Sequence, residues 1–395
     1  MSKTSKIPPK ANTILPIIVA AQFACTSLWF AGNAVSKDLV DLYQLGEGTL
    51  GHLTSAVQFG FISGTLVFAL LGVSDRFSPS RVFMVCALLG ATANLLVLLP
   101  DQGLTSLLLI RFATGFFLAG IYPVGMKIAS DYHEKGLGKA LGFLVGALVL
   151  GTAFPHLVKS IGEGLSWQVV FICTSAISAL GGVFLFITVP DGPFRKASVK
   201  IDLRVSLDVF KKKDFRRAAF GYFGHMWELY AFWAFVPAMF ARYQDSHSLP
   251  QLNISFLSFI VIGAGAFSCV TGGYISAARG SKLVAQMALT ISGMCCISSP
   301  LSYQLPFALF IVFLLIWGAS VVADSPQFST LVAQSAPKEN TGTALTIVNC
   351  LGFSITIASI EVVQWLMYHG SPNLALLALA PGPVLGVLAT VRKDK

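Results

Sequence analysis

The chain has 395 residues, 55% of them hydrophobic and 11% charged, with a formal net charge of +9. Soluble domains carry about 25% charged residues, so this composition and a mean hydropathy of +0.74 exclude a soluble globular domain and indicate an integral membrane protein. Apolar runs of helical span length, about 20 residues, recur along the chain, which excludes a barrel of short alternating strands.

In chain order, twelve spans are expected at roughly 13–35, 48–72, 80–99, 104–126, 139–158, 166–189, 217–240, 253–276, 283–301, 306–332, 343–366 and 373–391. The tail MSKTSKIPPK is polar and has no apolar run with a small-residue cleavage site, so the first span is read as retained. With both termini in the cytoplasm, the inside segments hold 23 of the 27 Lys and Arg residues. The outside loops hold Lys37, Lys159 and Arg242, and Arg111 alone lies in a span. Such a bias sets orientation. It makes the net charge topological and gives no reason to propose nucleic-acid binding. All seven cysteines fall inside spans, so no structural disulfide is expected. The polar stretch that begins at Asp191 divides the chain into an N-terminal six-helix half (1–190), a cytoplasmic linker (191–216) and a C-terminal six-helix half (217–395). A short amphipathic helix is expected around 202–213, where basic residues meet anionic headgroups.

The halves echo each other. Span four ends in GIYPVGMK and span ten in ADSPQFST, placing Pro123 and Pro326 near the inner ends. GKAL begins at Gly138 and GTAL at Gly342, at nearly the same distance beyond each proline. A repeat of six spans marks a secondary transporter with its site between the halves.

These features resemble the major facilitator superfamily over essentially the whole sequence. The family's loop between spans two and three, G-x-L-x-D-R-x-G-R-R/K, is matched by LGVSDRFSPSR through Asp75, Arg76 and Arg81, with Ser78 where Gly is usual. The copy GGYISAARGSK keeps Gly273, Gly280 and Lys282. RFATG matches the span-four pattern from Arg111 to Gly115, and the antiporter pattern of span five is half present, with Ala147 in place of Pro. Stretches such as YPVGMK, GHMWELYAFW and ADSPQF resemble a bacterial subgroup labelled nitrate/nitrite-type or cyanate-type. Nitrate carriers of the superfamily place an Arg in span two and another in span eight, and this sequence has neither. The resemblance implies an all-α membrane fold of twelve helices and alternating access. It also implies a gate at Asp75, Arg76 and Arg81, with Asp75 expected near the start of span eleven at Gly342.

Few polar groups lie within the spans. His225 and Glu228 share one face of span seven, with Tyr222 one turn earlier. They read either as a buried structural pair or as a protonation site; protonating Glu228 removes most of its burial cost. The repeat sets Gln22 and Cys25 opposite them. Arg111 either bonds helix carbonyls or holds a substrate anion, since a guanidinium stays charged and forks onto carboxylates. Lys127 reads as a snorkelling or gate residue. Asp324 reads as an inner-gate acid or a proton site. Glu361 and His156 read as hydrated helix ends. Gln22, Trp29, Gln58, Tyr122, Tyr222, Trp233 and Asn349 are candidate substrate-binding walls. No phosphate loop, metal-spaced His/Cys set or G-x-S-x-G occurs in the sequence, so no catalysis, cofactor or metal is expected. The expectation is a monomeric transporter of the bacterial inner membrane, surrounded by lipid, taking up a small organic anion or zwitterion with protons coupled through Glu228 and His225, with Asp324 the next candidate. A proton-driven exporter of an amphiphile and a non-transporting receptor or scaffold are the alternatives.

Overall fold

The computed structural model describes residues 11–46, 48–133, 137–161, 166–195, 208–337 and 341–391. Among them, nine helices are long and apolar enough to cross a membrane, and Thr13–Thr26 and Ala375–Val391 are shorter apolar helices. The long helix Lys213–Ser246 completes twelve segments in the expected order. It begins before the expected 217 and runs past 240, because the charged ends KDFRR and ARYQDS continue the helix beyond its apolar middle. Residues 202–207 of the expected amphipathic helix at 202–213 lie outside the described residues, as does the N-terminal tail.

Spans four and ten are each broken once, at matching places. Leu104–Leu118 gives way to Tyr122–Tyr132, with Pro123 in the first turn of the second piece. Phe307–Ala323 gives way to Ser325–Ser335, with Pro326 in the first turn. Proline has no N–H to donate and is accommodated most readily in the first turn of a helix. Ahead of each break a glycine fuses the span to a neighbour. A Cβ on Gly115 would lie 2.0 Å from the Val57 carbonyl oxygen of span two, and one on Gly318 would lie 2.1 Å from the Val261 carbonyl oxygen of span eight. Spans two and four, and spans eight and ten, therefore pack backbone to backbone, as small residues allow in membranes.

Between the halves, span five packs along span eight and span two along span eleven. The end of the bundle carrying the 72–78 turn and the linker is called here the linker end, and the opposite one the far end. At the far end the span two–span eleven seam is closed in layers. Gln364 of span eleven accepts from the Gly51 amide at 2.7 Å and donates to the Gly48 carbonyl, so one half caps the first turn of a helix in the other. Its amide lies where a Cβ on Gly51 would sit, at 2.6 Å. One turn deeper, Glu361 accepts from Ser55 Oγ at 2.7 Å and meets His52 at 3.3 Å. Glu361 is thus a cross-half contact, not merely the hydrated end expected. Below it an aromatic plug joins Trp29, Phe30 and Phe61 of one half to Tyr230, Trp233 and Phe353 of the other. Its ring centroids are 4.5 Å apart at Phe61–Phe353, 5.6 Å at Trp29–Tyr230 and 6.3 Å at Phe30–Trp233.

Replacing Gln364 by Ala is expected to open the far end. Two hydrogen bonds at about 1 kcal/mol each correspond to a shift of roughly tenfold to thirtyfold in the closed-to-open ratio. Spin-label distances across the far end, measured with and without the substitution, check this. An unchanged distance distribution would show that the clasp does not hold the halves.

Candidate functional site

Six spans bring the polar residues of the interior together, and they do so in a pattern the sequence concealed. His225 and Glu228 do not pair. One helical turn separates them, yet they face different neighbours. Glu228, on the side of spans nine and ten, accepts from Trp317 Nε1 at 2.5 Å, Ser292 Oγ at 2.8 Å and Cys296 Sγ at 3.2 Å. Three donors converge on a side chain that is 1% exposed, and together they tie span seven to spans nine and ten. The pairing expected between His225 and Glu228 is therefore replaced by a donor cage around Glu228 alone.

His225 turns to the break in span ten. Its Nδ1 lies 2.8 Å from Asp324 Oδ1, and both side chains are wholly buried. The two atoms meet at ion-pair distance but out of hydrogen-bond alignment, and neither His225 Nε2 nor Asp324 Oδ2 has a protein partner. Asp324 is the residue at which span ten breaks; it caps Ser325–Ser335 by position, and its side chain makes no cap bond. Tyr222, one turn before His225, donates from its hydroxyl to Asn349 Oδ1 of span eleven at 3.0 Å, and its ring lies 5.9 Å from the imidazole. Tyr222, His225, Asp324 and Asn349 are thus one cluster in the second half.

Gln22 holds the corresponding place in the first half. Its Oε1 lies where a Cβ on Gly125 would come within 2.1 Å, two residues beyond Pro123, just as His225 packs on Phe328, two residues beyond Pro326. Both polar atoms of Gln22 are buried and without a protein partner. Tyr122 opens the helix that follows the break. Cys25, opposite Glu228 in the repeat, donates to the Ser178 carbonyl at 3.3 Å.

Five expectations are corrected. Arg111 holds no open position: Nη1 donates to Asn94 Oδ1, and Nη2 to the Leu28 and Trp29 carbonyls, all at 2.8 Å. Span one unwinds between Thr26 and Ala31, so those carbonyls lack helical donors and the guanidinium supplies them. Lys127 and Asp75 form an ion pair with each other at 3.0 Å within the first half. The Asp75 carboxylate is therefore committed to Lys127 and not to Gly342, beside which a Cβ would meet nothing within 4 Å. Arg76 and Arg81 are exposed; the turn is instead fastened by Arg195, which donates to the Asp75 and Phe77 carbonyls at 3.0 and 2.8 Å. Trp29, Gln58 and Trp233 belong to the aromatic plug, where Trp29 Nε1 donates to Gln58 Oε1 at 3.2 Å. His156 is 2% exposed and not a wet helix end.

Trp317, Ser292, Cys296 and Gln364 escaped the sequence reading. The available signal was a lone polar or indole side chain inside an apolar run, as in LLIWGAS and EVVQWLM.

Among the described residues, twelve helical segments with matched breaks in spans four and ten, closed at the far end and holding polar groups at the centre, have the architecture of multi-pass membrane transport proteins. A family model described as Major Facilitator Superfamily matches residues 14–359, and the chain belongs to that superfamily. It is 32% identical over 111 residues to a D-galactonate transporter of Escherichia coli O6:H1; the match covers 27% of this chain and 25% of that relative. Among solved structures, the nucleoside transporter NupG has a TM-score of 0.70 at 16% identity, covering 95% of this chain and 98% of that one. The human organic anion transporter TETRAN has a TM-score of 0.76 at 14% identity, covering 97% and 100%. A bacterial homolog of the human lysosomal transporter Spinster, inward-facing and unoccupied, has a TM-score of 0.65 at 16% identity, covering 98% and 95%. At these identities the structures bear on the fold alone.

Proposed function

We propose that the chain is a proton-coupled secondary transporter of the bacterial inner membrane, with both termini and the linker end in the cytoplasm. In this reading it takes up a small hydroxylated organic anion or zwitterion. The basic residues gathered at one end support the orientation. The observation that carries the mechanism is the buried His225–Asp324 contact at the break of span ten.

Charge balance gives the coupling. A protonated imidazole beside a carboxylate is neutral as a pair. Bringing a monoanion into that interior leaves one uncompensated charge, which costs several kcal/mol in a low-dielectric setting. One proton on Asp324 cancels it: His225 then faces the substrate carboxylate, and the acid is silent. Proton and anion thus enter together and leave together. With Arg111 and Lys127 engaged elsewhere, His225 is the basic side chain of this cluster that can face the anion. The free amide of Gln22 and the Tyr222–Asn349 pair suit hydroxyl groups, and the similarity to a D-galactonate transporter supports the same class. The nitrate/nitrite-type or cyanate-type resemblance adds no substrate to this reading. Glu228 stays outside the coupling pair.

The test begins with a thermal-shift screen of purified protein against small carboxylates and zwitterions, because a ligand that prefers the folded state raises the midpoint. Proteoliposomes are then given the stabilising solute and an inside-alkaline pH gradient. Accumulation that a protonophore abolishes is expected; uptake indifferent to the gradient would overturn the coupling.

A further inference from the structure

Outside the bundle, where spans one, five and eight meet, a trough of about 770 Å3 opens sideways. Its wall is apolar throughout, built from side chains that include Val19, Phe23, Phe143, Ala147, Leu150 and Phe267. Gly263 leaves it deep, since a Cβ there would meet nothing closer than Leu150 at 3.7 Å. Phe267 is 76% exposed within a span, so the trough faces lipid. Spans five and eight run in opposite directions here. Leu150 and Gly263 mark the middle of the bundle, Phe143 and Val270 the approach to the linker end. Just beyond, the ring of Tyr274 lies 6.4 Å from that of Phe143, and Lys139 Nζ sits 4.4 Å over its face. The exposed ammonium is thereby parked at the mouth of the trough.

An apolar trough that follows spans five and eight for about 10 Å, at about 1.5 Å per residue, and ends at a fixed cation matches an amphiphile with a negative head. We infer that this seam binds an anionic phospholipid from the leaflet at the linker end, with one acyl chain along the trough and the phosphate at Lys139. A polar solute would find no hydrogen-bonding side chain along the wall. The groove also joins span five of one half to span eight of the other, so a seated chain touches both parts that move. The inference rests on neither the proposed substrate nor the coupling pair.

Native mass spectrometry of the full chain, delipidated and titrated separately with dioleoyl phosphatidylglycerol and dioleoyl phosphatidylcholine, tests it. The parent is expected to bind the anionic lipid about fivefold more tightly, the effect of one basic side chain near a headgroup. Lys139→Gln should erase that preference and leave phosphatidylcholine binding unchanged. Gly263→Leu, which fills the trough, should lower occupancy by both lipids. Phe267→Ala, at an exposed position where folding is not in question, should do the same by removing a wall. Equal binding of the two lipids by the parent would overturn the headgroup assignment. Parent-like binding by both Gly263→Leu and Phe267→Ala would overturn the groove.

Discussion

Asp324→Asn is expected to exchange substrate across the membrane yet fail to accumulate it. Asparagine keeps the size of the side chain and its contact with His225, but it cannot carry a proton in one state and a charge in another. In the proposed cycle the parent gains about 1.36 kcal/mol per proton for each unit of pH difference, which is tenfold accumulation for one proton. The variant should stop near equal concentrations on the two sides, whatever gradient is imposed, while counterflow of labelled for unlabelled substrate continues. Counterflow and gradient-driven uptake in the same proteoliposome preparation separate the two behaviours. An Asp324→Asn protein that accumulates as the parent does removes Asp324 from the coupling.

Glu228→Leu is expected to weaken the fold without touching the coupling chemistry. Leucine leaves the Trp317 N–H, the Ser292 hydroxyl and the Cys296 thiol facing an apolar side chain. A buried donor without an acceptor costs about 1–3 kcal/mol, so a loss of about 3 kcal/mol is expected in reversible unfolding in detergent. Glu228→Gln is the discriminating companion. Its amide oxygen can still accept from Trp317, and the serine hydroxyl can rotate to accept from its NH2. It should therefore retain most of the stability and accumulate substrate as the parent does. Loss of accumulation in a stable Glu228→Gln protein would return the coupling proton to Glu228.

The contrast between these acids shows where sequence reasoning reached its limit. Span lengths, the prolines of spans four and ten and the equivalence of Gln22 with His225 were legible, because each depends on local chemistry or on repetition along the chain. The partners of Glu228 were not. They lie 64, 68 and 89 residues away, on two other spans. A separation of three residues says that two side chains are close in azimuth; it does not say which neighbouring helix each one meets. Arg111 failed for a related reason. Its acceptors are carbonyls freed by unwinding of span one, and an unwound turn at Ser27–Phe30 has no proline or glycine to announce it. The Asp75 turn matched a family motif, and the motif gave its location. Its salt-bridge partner depended on where span four breaks, which brings Lys127 within 3.0 Å.

The glycine contacts that join span two to four and span eight to ten also constrain how this sequence can drift. At Gly115 and Gly318 the space a β-carbon needs is already filled by a backbone carbonyl oxygen, at 2.0 and 2.1 Å. A crowded side chain can turn to another rotamer, but a β-carbon cannot, and a main-chain oxygen within a helix has nowhere to retreat. Every substitution at these codons, alanine included, forces the two helices apart along their whole length. Descendants of this protein are therefore expected to vary freely on the lipid-facing surfaces and to repack their cavity for new solutes, while both glycines persist.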